Sequence, residues 1–166
     1  MVMSRMRSVT RAYALEHDSP ATVLERVDAK FHHFEPDEMA TMVYARLDAD
    51  LGRMSIANAG HLPPVLLLPG AEASPLDVAR DPPICAGGMP HTDTVVDFPA
   101  GSVLVLYTDG LVERRHVPID DRLELLRRSV GGTRNGAEQI ATDIMDALIG
   151  ADDLDDDTAL LVVARS

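Results

Sequence analysis

Two apolar stretches of this sequence meet aspartate at one end. Asp109 follows "SVLVLYT", and Asp155, Asp156 and Asp157 stand directly before "TALLVVA". A strand end fixes a side chain better than a mobile loop does, which is what a reactive or metal-binding carboxylate needs. Carboxylates held close together repel one another, so they take up protons or bind a cation. The donors are hard oxygens with no suitable Cys/His set beside them, which points to Mg²⁺ or Mn²⁺ rather than zinc. A plainer reading of the same residues stands beside this one. "TDG" also suits a simple turn, and "DDLDDD" a solvated linker. A calcium loop is disfavoured, because neither "DADLG" nor "DDLDDD" continues to the Gly at position six and Glu at position twelve of an EF-hand.

The elements that must carry these acids follow from periodicity. Met6, Val9 and Tyr13 have helical spacing, and Ser19 is placed to cap a second helix with Pro20 at its first position and Val23, Val27, Phe31 and Phe34 on one face. After "EPDE" the period changes to that of strands. "MATMVYARLD", "RMSIANAG" and "VLLL" are expected to form an antiparallel meander. Pro69 to Pro90 is rich in Pro, Gly and Ala and is expected to be a long loop with a short edge strand around Leu76 to Ala79. "TDTVVDF" and "SVLVLYT" are expected to pair as a hairpin across "PAG". The second of them is apolar on both faces and should be a central strand covered on each side. Helices are expected around Asp121 to Ser129 and from Ala137 to Ile149, followed by the last strand, "TALLVVA". The coarse result is a mixed domain built on antiparallel strands, with no internal repeat and no domain boundary.

Composition narrows the partners. The 166 residues are 46% hydrophobic and only 4% aromatic, which fits an aliphatic core in one domain. Lys and Arg number 15 against 27 Asp and Glu, so the formal charge of −12 argues against nucleic acid and anionic membrane surfaces. Cys85 is the single cysteine, which rules out an internal disulfide and suits a reducing cytoplasm. No segment approaches the roughly 20 apolar residues of a membrane span, and the N-terminal "MVMSRMRSVTRAYAL" has no apolar run of signal-peptide length.

Other polar residues have two readings each. Asn58 and His61 in "NAGH" fall between strands, where Asn and Gly serve a turn and a lone His usually bonds nearby backbone. A proton-donating role for His61 is the sharper alternative. Glu113, after "TDGLV", is placed either at the mouth of a site or in a surface ion pair. Gly87 and Gly88 in "CAGGMP" lack the strand-to-helix context and the Lys of a nucleotide P-loop.

Taken in order, "FEPDEMATMVYARLD", "GRMSIANAGHLPPVLLL", "FPAGSVLVLYTDGLVERR" and "DDDTALLVVAR" resemble the metal-dependent protein phosphatases of the stage II sporulation protein E type. These are bacterial relatives of protein phosphatase 2C within the PPM family. The resemblance covers nearly the whole chain, from Met6 to the last strand. It implies an α+β fold, an αββα sandwich of antiparallel sheets flanked by helices, as one partial phosphatase domain over residues 1–166. It assigns Asp109 and Asp155 as metal ligands, with Asp156 the next candidate; beside them Gly110 is read as backbone at the metal site, and Asn58, His61 and Glu113 as candidate site-adjacent residues. No side chain is singled out as a catalytic group. The implied cofactors are two Mn²⁺ or Mg²⁺ ions, and the implied chemistry is hydrolysis of phosphoserine or phosphothreonine by a metal-activated water, without a phosphoenzyme. The implied substrate is a phosphorylated regulator of the anti-sigma factor antagonist type, in the cytoplasm.

The sequence also departs from that family. An early "GDWYD"-like strand and a "D-x-x-G-H-G" turn, which supply further metal-binding aspartates, have no counterpart here. The resemblance therefore implies a domain that starts upstream of Met1, with the first strands of the fold missing, unpaired sheet edges and half of the site's carboxylates absent. Two other functions stay open: a catalytically inactive interaction module in the same partner-switching regulation, and an acidic adaptor that binds no metal.

Overall fold

The structure is a computed structural model that describes residues 2–48, 50, 52–87, 90–131, 136–150 and 157–166. The chain forms two compact units, one of Met1–His61 with Asp77–Asp97 and the other of Leu62–Leu76 with Phe98–Ser166.

The first unit sets two helices, α1 (Val2–Ala14) and α2 (Pro20–Phe34), on a three-stranded antiparallel sheet. That sheet has the order β1 (Met42–Asp48), β2 (Arg53–Ala59), β5 (Thr94–Asp97). Met6 of α1 and Leu24, Val27 and Phe31 of α2 close over Ala57 and Ala59 of β2 and over Ile84, in the segment that leads into β5. The apolar spacing in α2 holds for Val23, Val27 and Phe31, which are buried, but Phe34, expected on the same face, is 70% exposed as the last residue of the helix. Ser19 caps α2, its Oγ accepting from the Thr22 N–H at 3.1 Å, with Pro20 next to it. The cap is reinforced from a distant part of the chain. Asp93 accepts from the Ser19 hydroxyl at 2.6 Å and from the Ala21 N–H at 2.7 Å, placing a carboxylate at the positive end of the helix.

The second unit sets α4 (Ile119–Gly131) and α5 (Gly136–Leu148) against a four-stranded antiparallel sheet. The order is β4 (Ser74–Pro75), β3 (Val65–Leu67), β6 (Val103–Tyr107), β7 (Leu160–Ala164), and the one-turn helix α3 (Asp109–Val112) follows β6. Val103, Val105 and Tyr107 on one face of β6 pack with Leu111, Leu126, Val130, Ile140, Ile144 and Leu148. Leu104, on the opposite face, is also buried. The reading of β6 as a central strand covered on each side therefore holds, and so does the α+β class built on antiparallel sheets and helices.

Three local expectations are corrected. β5 and β6 do not form a hairpin, since β5 pairs with β2 and β6 pairs with β3 and β7. The meander stops at β2, because β3 joins the other sheet. Each correction has one cause: short apolar strands separated by Pro and Gly look alike in sequence whichever sheet they join. The short edge strand is Ser74–Pro75, just before the expected Leu76 to Ala79. Among the described residues β1, β5, β4 and β7 are the sheet edges, and Leu47, Val95 and Leu161 are exposed on three of them. No helix among the described residues is long and apolar enough to cross a membrane.

Candidate functional site

Asp109 opens α3 at the point where β6 ends. Its Oδ1 accepts the Gly110 N–H at 2.9 Å, its carbonyl accepts the Glu113 N–H at 2.7 Å, and the residue is exposed. The strand before it is well anchored. Tyr107 is almost fully buried, and its hydroxyl donates to the Pro63 carbonyl at 3.0 Å.

Burial pushes the Tyr107 phenol up to about 12. A folded pKa above the unfolded value gives stability that is whole below about pH 10 and is lost as the pH rises through about 12. In an alkaline absorbance titration of the three tyrosines, one is expected to ionise last, with the protein losing stability over that same interval. In the Tyr107→Phe protein that late step should be gone.

Beside Asp109 the chain entering β7 is stitched to β6. The ladder runs Tyr107 opposite Leu160, and one step further the Thr108 N–H donates to the Ala159 carbonyl at 3.0 Å. The Thr108 hydroxyl accepts the Ala159 N–H at 2.8 Å and donates to the Asp157 carbonyl at 3.3 Å. That hydroxyl is engaged across the strands, and Thr108 makes no side-chain cap to α3. Gly110 lies against the same segment. A Cβ on Gly110 would stand 2.6 Å from the Asp157 carbonyl oxygen. Gly110 is therefore needed for close approach, and it is not among the positive-φ glycines.

The ends of two strands are thus brought together, which is the arrangement that a shared cation site at Asp109 and the acidic run requires. Asp155 and Asp156 lie outside the described residues, and Asp157 is the first described residue of the acidic approach. The oxygen-only donors suit a hard divalent cation. Among the described residues, however, no three of His, Cys, Asp and Glu come close enough to hold one. Asp109 is the one expected ligand among the described residues; Asp155 and Asp156 are not among them. Glu113, the C-cap residue of α3, is exposed, and its backbone N–H closes the turn on Asp109.

Asn58 and His61 belong to the first unit. Asn58 is buried, its Nδ2 donating to the His61 carbonyl at 2.9 Å and its Oδ1 accepting the His61 N–H at 2.8 Å. These bonds make Asn58 the clamp of the "NAGH" turn. Gly60 takes φ +68° in that turn, where a Cβ would run into the Pro83 ring, and its N–H donates to the Asp81 carbonyl at 2.8 Å.

Sequence reasoning missed Thr108, whose role appears only once β7 is in register beside β6. It also missed Asp93, 72 residues away from the Ala21 N–H that it accepts. A Thr directly before the aspartate at a strand end was the available signal for the first. No local signal marked the second.

Comparison with known proteins agrees with this architecture. The family described as "Stage II sporulation protein E (SpoIIE)" matches residues 1–166. A structure of the RsbU and RsbW domains of Rv1364c from Mycobacterium tuberculosis superposes with a TM-score of 0.89 at 25% identity, over 99% of this chain and 47% of that one. The manganese-presoaked phosphatase domain of the cell-fate determinant SpoIIE from Bacillus subtilis gives 0.64 at 15% identity, over 99% and 71%. RsbX in complex with magnesium gives 0.69 at 16% identity, over 96% and 70%. The chain spans less than half of the M. tuberculosis chain, and the two lower identities speak to the fold alone. With a family match that runs from the first residue to the last, the chain belongs to the stage II sporulation protein E family, and its α+β fold is that of the PP2C-like phosphatase domains.

Proposed function

We propose that residues 1–166 are one partial PPM-type phosphatase domain, of a metal-dependent protein that removes phosphate from phosphoserine or phosphothreonine on a regulatory protein. The observation that carries this reading is the stitching of Asp157 to Thr108 and Gly110 beside Asp109. It brings the "TDG" motif and the described part of "DDDTALLV", from Asp157 onward, to one end of one sheet. Asp109 would hold a Mn²⁺ or Mg²⁺ ion, with Asp155 and Asp156 as its partners. Relatives crystallised with manganese presoaking and with magnesium support that choice of ion. Bound divalent ions supply a water of lowered pKa and neutralise charge on the transferring phosphoryl group. The chain's own part is to aim the carboxylates. Thr108 holds the acidic approach in register, Gly110 lets it come within van der Waals distance, and Tyr107 anchors the strand behind them.

The partner in this proposal is a phosphorylated anti-sigma factor antagonist in a cytoplasmic partner switch. It is supported by the RsbU and RsbW domains that share one chain in the M. tuberculosis relative. The net charge of −12 disfavours nucleic acid as an alternative partner.

A second reading is a non-catalytic interaction module of the same switch, which keeps the fold and the partner without turnover. Phosphate release from a phosphoserine-bearing antagonist protein, measured with Mn²⁺ and with EDTA, separates the two. Manganese-dependent release supports the phosphatase. Manganese binding by calorimetry with no release would support the module, and absence of both would sink the metal-site reading.

A further inference from the structure

We propose that Arg122 is a positioning residue for the candidate site, joining the turn that opens on Asp109 to the helix from which the acidic segment departs. The inference rests on the reading of Asp109 as a metal ligand. Arg122 lies in the first turns of α4, and its Nη2 donates to the Leu111 carbonyl at 3.1 Å and also to the Leu148 carbonyl. Leu111 is the third residue of the four-residue α3, and Leu148 is the last residue of α5.

Carbonyls at helix C-termini lack intrahelical partners and carry the negative end of the helix dipole. A guanidinium that reaches two such ends satisfies both with one positive charge. The consequence for α3 is specific. Leu111 and Val112 are both fully buried, but apolar packing is non-directional and leaves the rotation of a one-turn helix weakly determined. A hydrogen bond to the Leu111 carbonyl is directional, so it sets that rotation and with it the aim of the Asp109 carboxylate. The bond to Leu148 acts on the other arm. Gly150, with φ +58°, follows two residues later, and the chain then runs into the acidic segment that ends at Asp157. One side chain thereby holds both the turn that opens on Asp109 and the end of α5 without being a ligand itself.

The test compares the full chain with its Arg122→Met and Arg122→Lys variants by amide hydrogen exchange and by Mn²⁺ calorimetry. In wild type the Leu111 N–H donates to the Thr108 carbonyl and the Glu113 N–H to the Asp109 carbonyl. Arg122→Met is expected to speed exchange of these two amides by roughly 10- to 100-fold relative to the β6–β7 ladder. It should also weaken Mn²⁺ binding by roughly 10- to 100-fold. Arg122→Lys keeps a cation with several donors and should restore most of both. A merely structural arginine would lower the melting temperature and raise exchange evenly through the second unit, leaving the Mn²⁺ affinity of the folded molecule unchanged. Unchanged relative exchange at Leu111 and Glu113 overturns the proposal, as does unchanged Mn²⁺ affinity in a chain whose wild type binds. If the wild type binds no Mn²⁺, the metal-site reading fails alone, and exchange still decides whether Arg122 orients α3. Should the methionine variant not fold, Arg122→Gln carries the same comparison.

Discussion

In the Asp109→Asn protein, Mn²⁺ affinity is expected to fall about 100-fold or more, while the melting temperature stays within about 4 °C of the wild type. The first figure follows from a comparison. Residues that only orient a metal ligand cost roughly 10- to 100-fold when they are lost, so removing the charge of a ligand itself should cost at least the upper end of that range. The second follows from local geometry. Asparagine keeps an Oδ1 that accepts the Gly110 N–H, and the carbonyl of residue 109 still takes the Glu113 N–H, so α3 retains its hydrogen bonds. What is lost is one acid in the first turn of a helix, worth less than about 1 kcal/mol. Calorimetric titration and thermal unfolding on the same sample give both quantities. Equal affinity in the two proteins would remove Asp109 from the ligand set, whatever the activity of either.

Gly110→Ala is expected to lower stability by about 2–3 kcal/mol, or some 5–10 °C in melting temperature. The new methyl would lie 2.6 Å from the Asp157 carbonyl oxygen, 3.2 Å from its carbonyl carbon and 3.1 Å from the Thr158 hydroxyl. The first two are backbone atoms of a segment that Thr108 ties to β6, so they cannot swing aside as the tip of a flexible side chain would. Either the approach to β7 moves away from Asp109, or the register beyond Leu160 is strained. Both outcomes should weaken Mn²⁺ binding along with stability. Gly131→Ala is the control, since nothing lies within 4 Å of its Cβ position. A Gly110→Ala protein that melts like that control would show that the close approach is not essential.

Helices and their caps were legible because their signals are local. Ser19 followed by Pro20 marks the start of α2 within two residues, and the spacing of Val23, Val27 and Phe31 names its buried face. Strand existence was nearly as clear, yet strand partnership was not. Nothing near "VLLL" says that it pairs with Val103–Tyr107 rather than with Arg53–Ala59, because the choice depends on which apolar surface is completed by residues some forty positions away. The candidate site follows the same division. Asp109 stood out as a carboxylate at the end of an apolar run. Gly110 was legible as backbone beside Asp109, but its close approach to Asp157, like the roles of Thr108 and Arg122, showed only when β7 and the end of α5 were in place beside α3. Asn58 looked like a turn residue between strands; it lies within β2, opposite Val43, and its side chain clamps the turn that follows by bonding on both sides to His61.

The interleaving of the two units has a consequence for synthesis. The chain passes from one unit to the other after His61, after Leu76 and after Asp97. On the ribosome, the first sheet therefore stays one strand short until Asp97 has emerged, although β1 and β2 were made about forty residues earlier. The second sheet waits longer, since β6 gains its β7 neighbour only when Leu160–Ala164 appear. A premature stop at any of the three passages would leave at least one sheet incomplete. Neither unit can be released by a single protease cut.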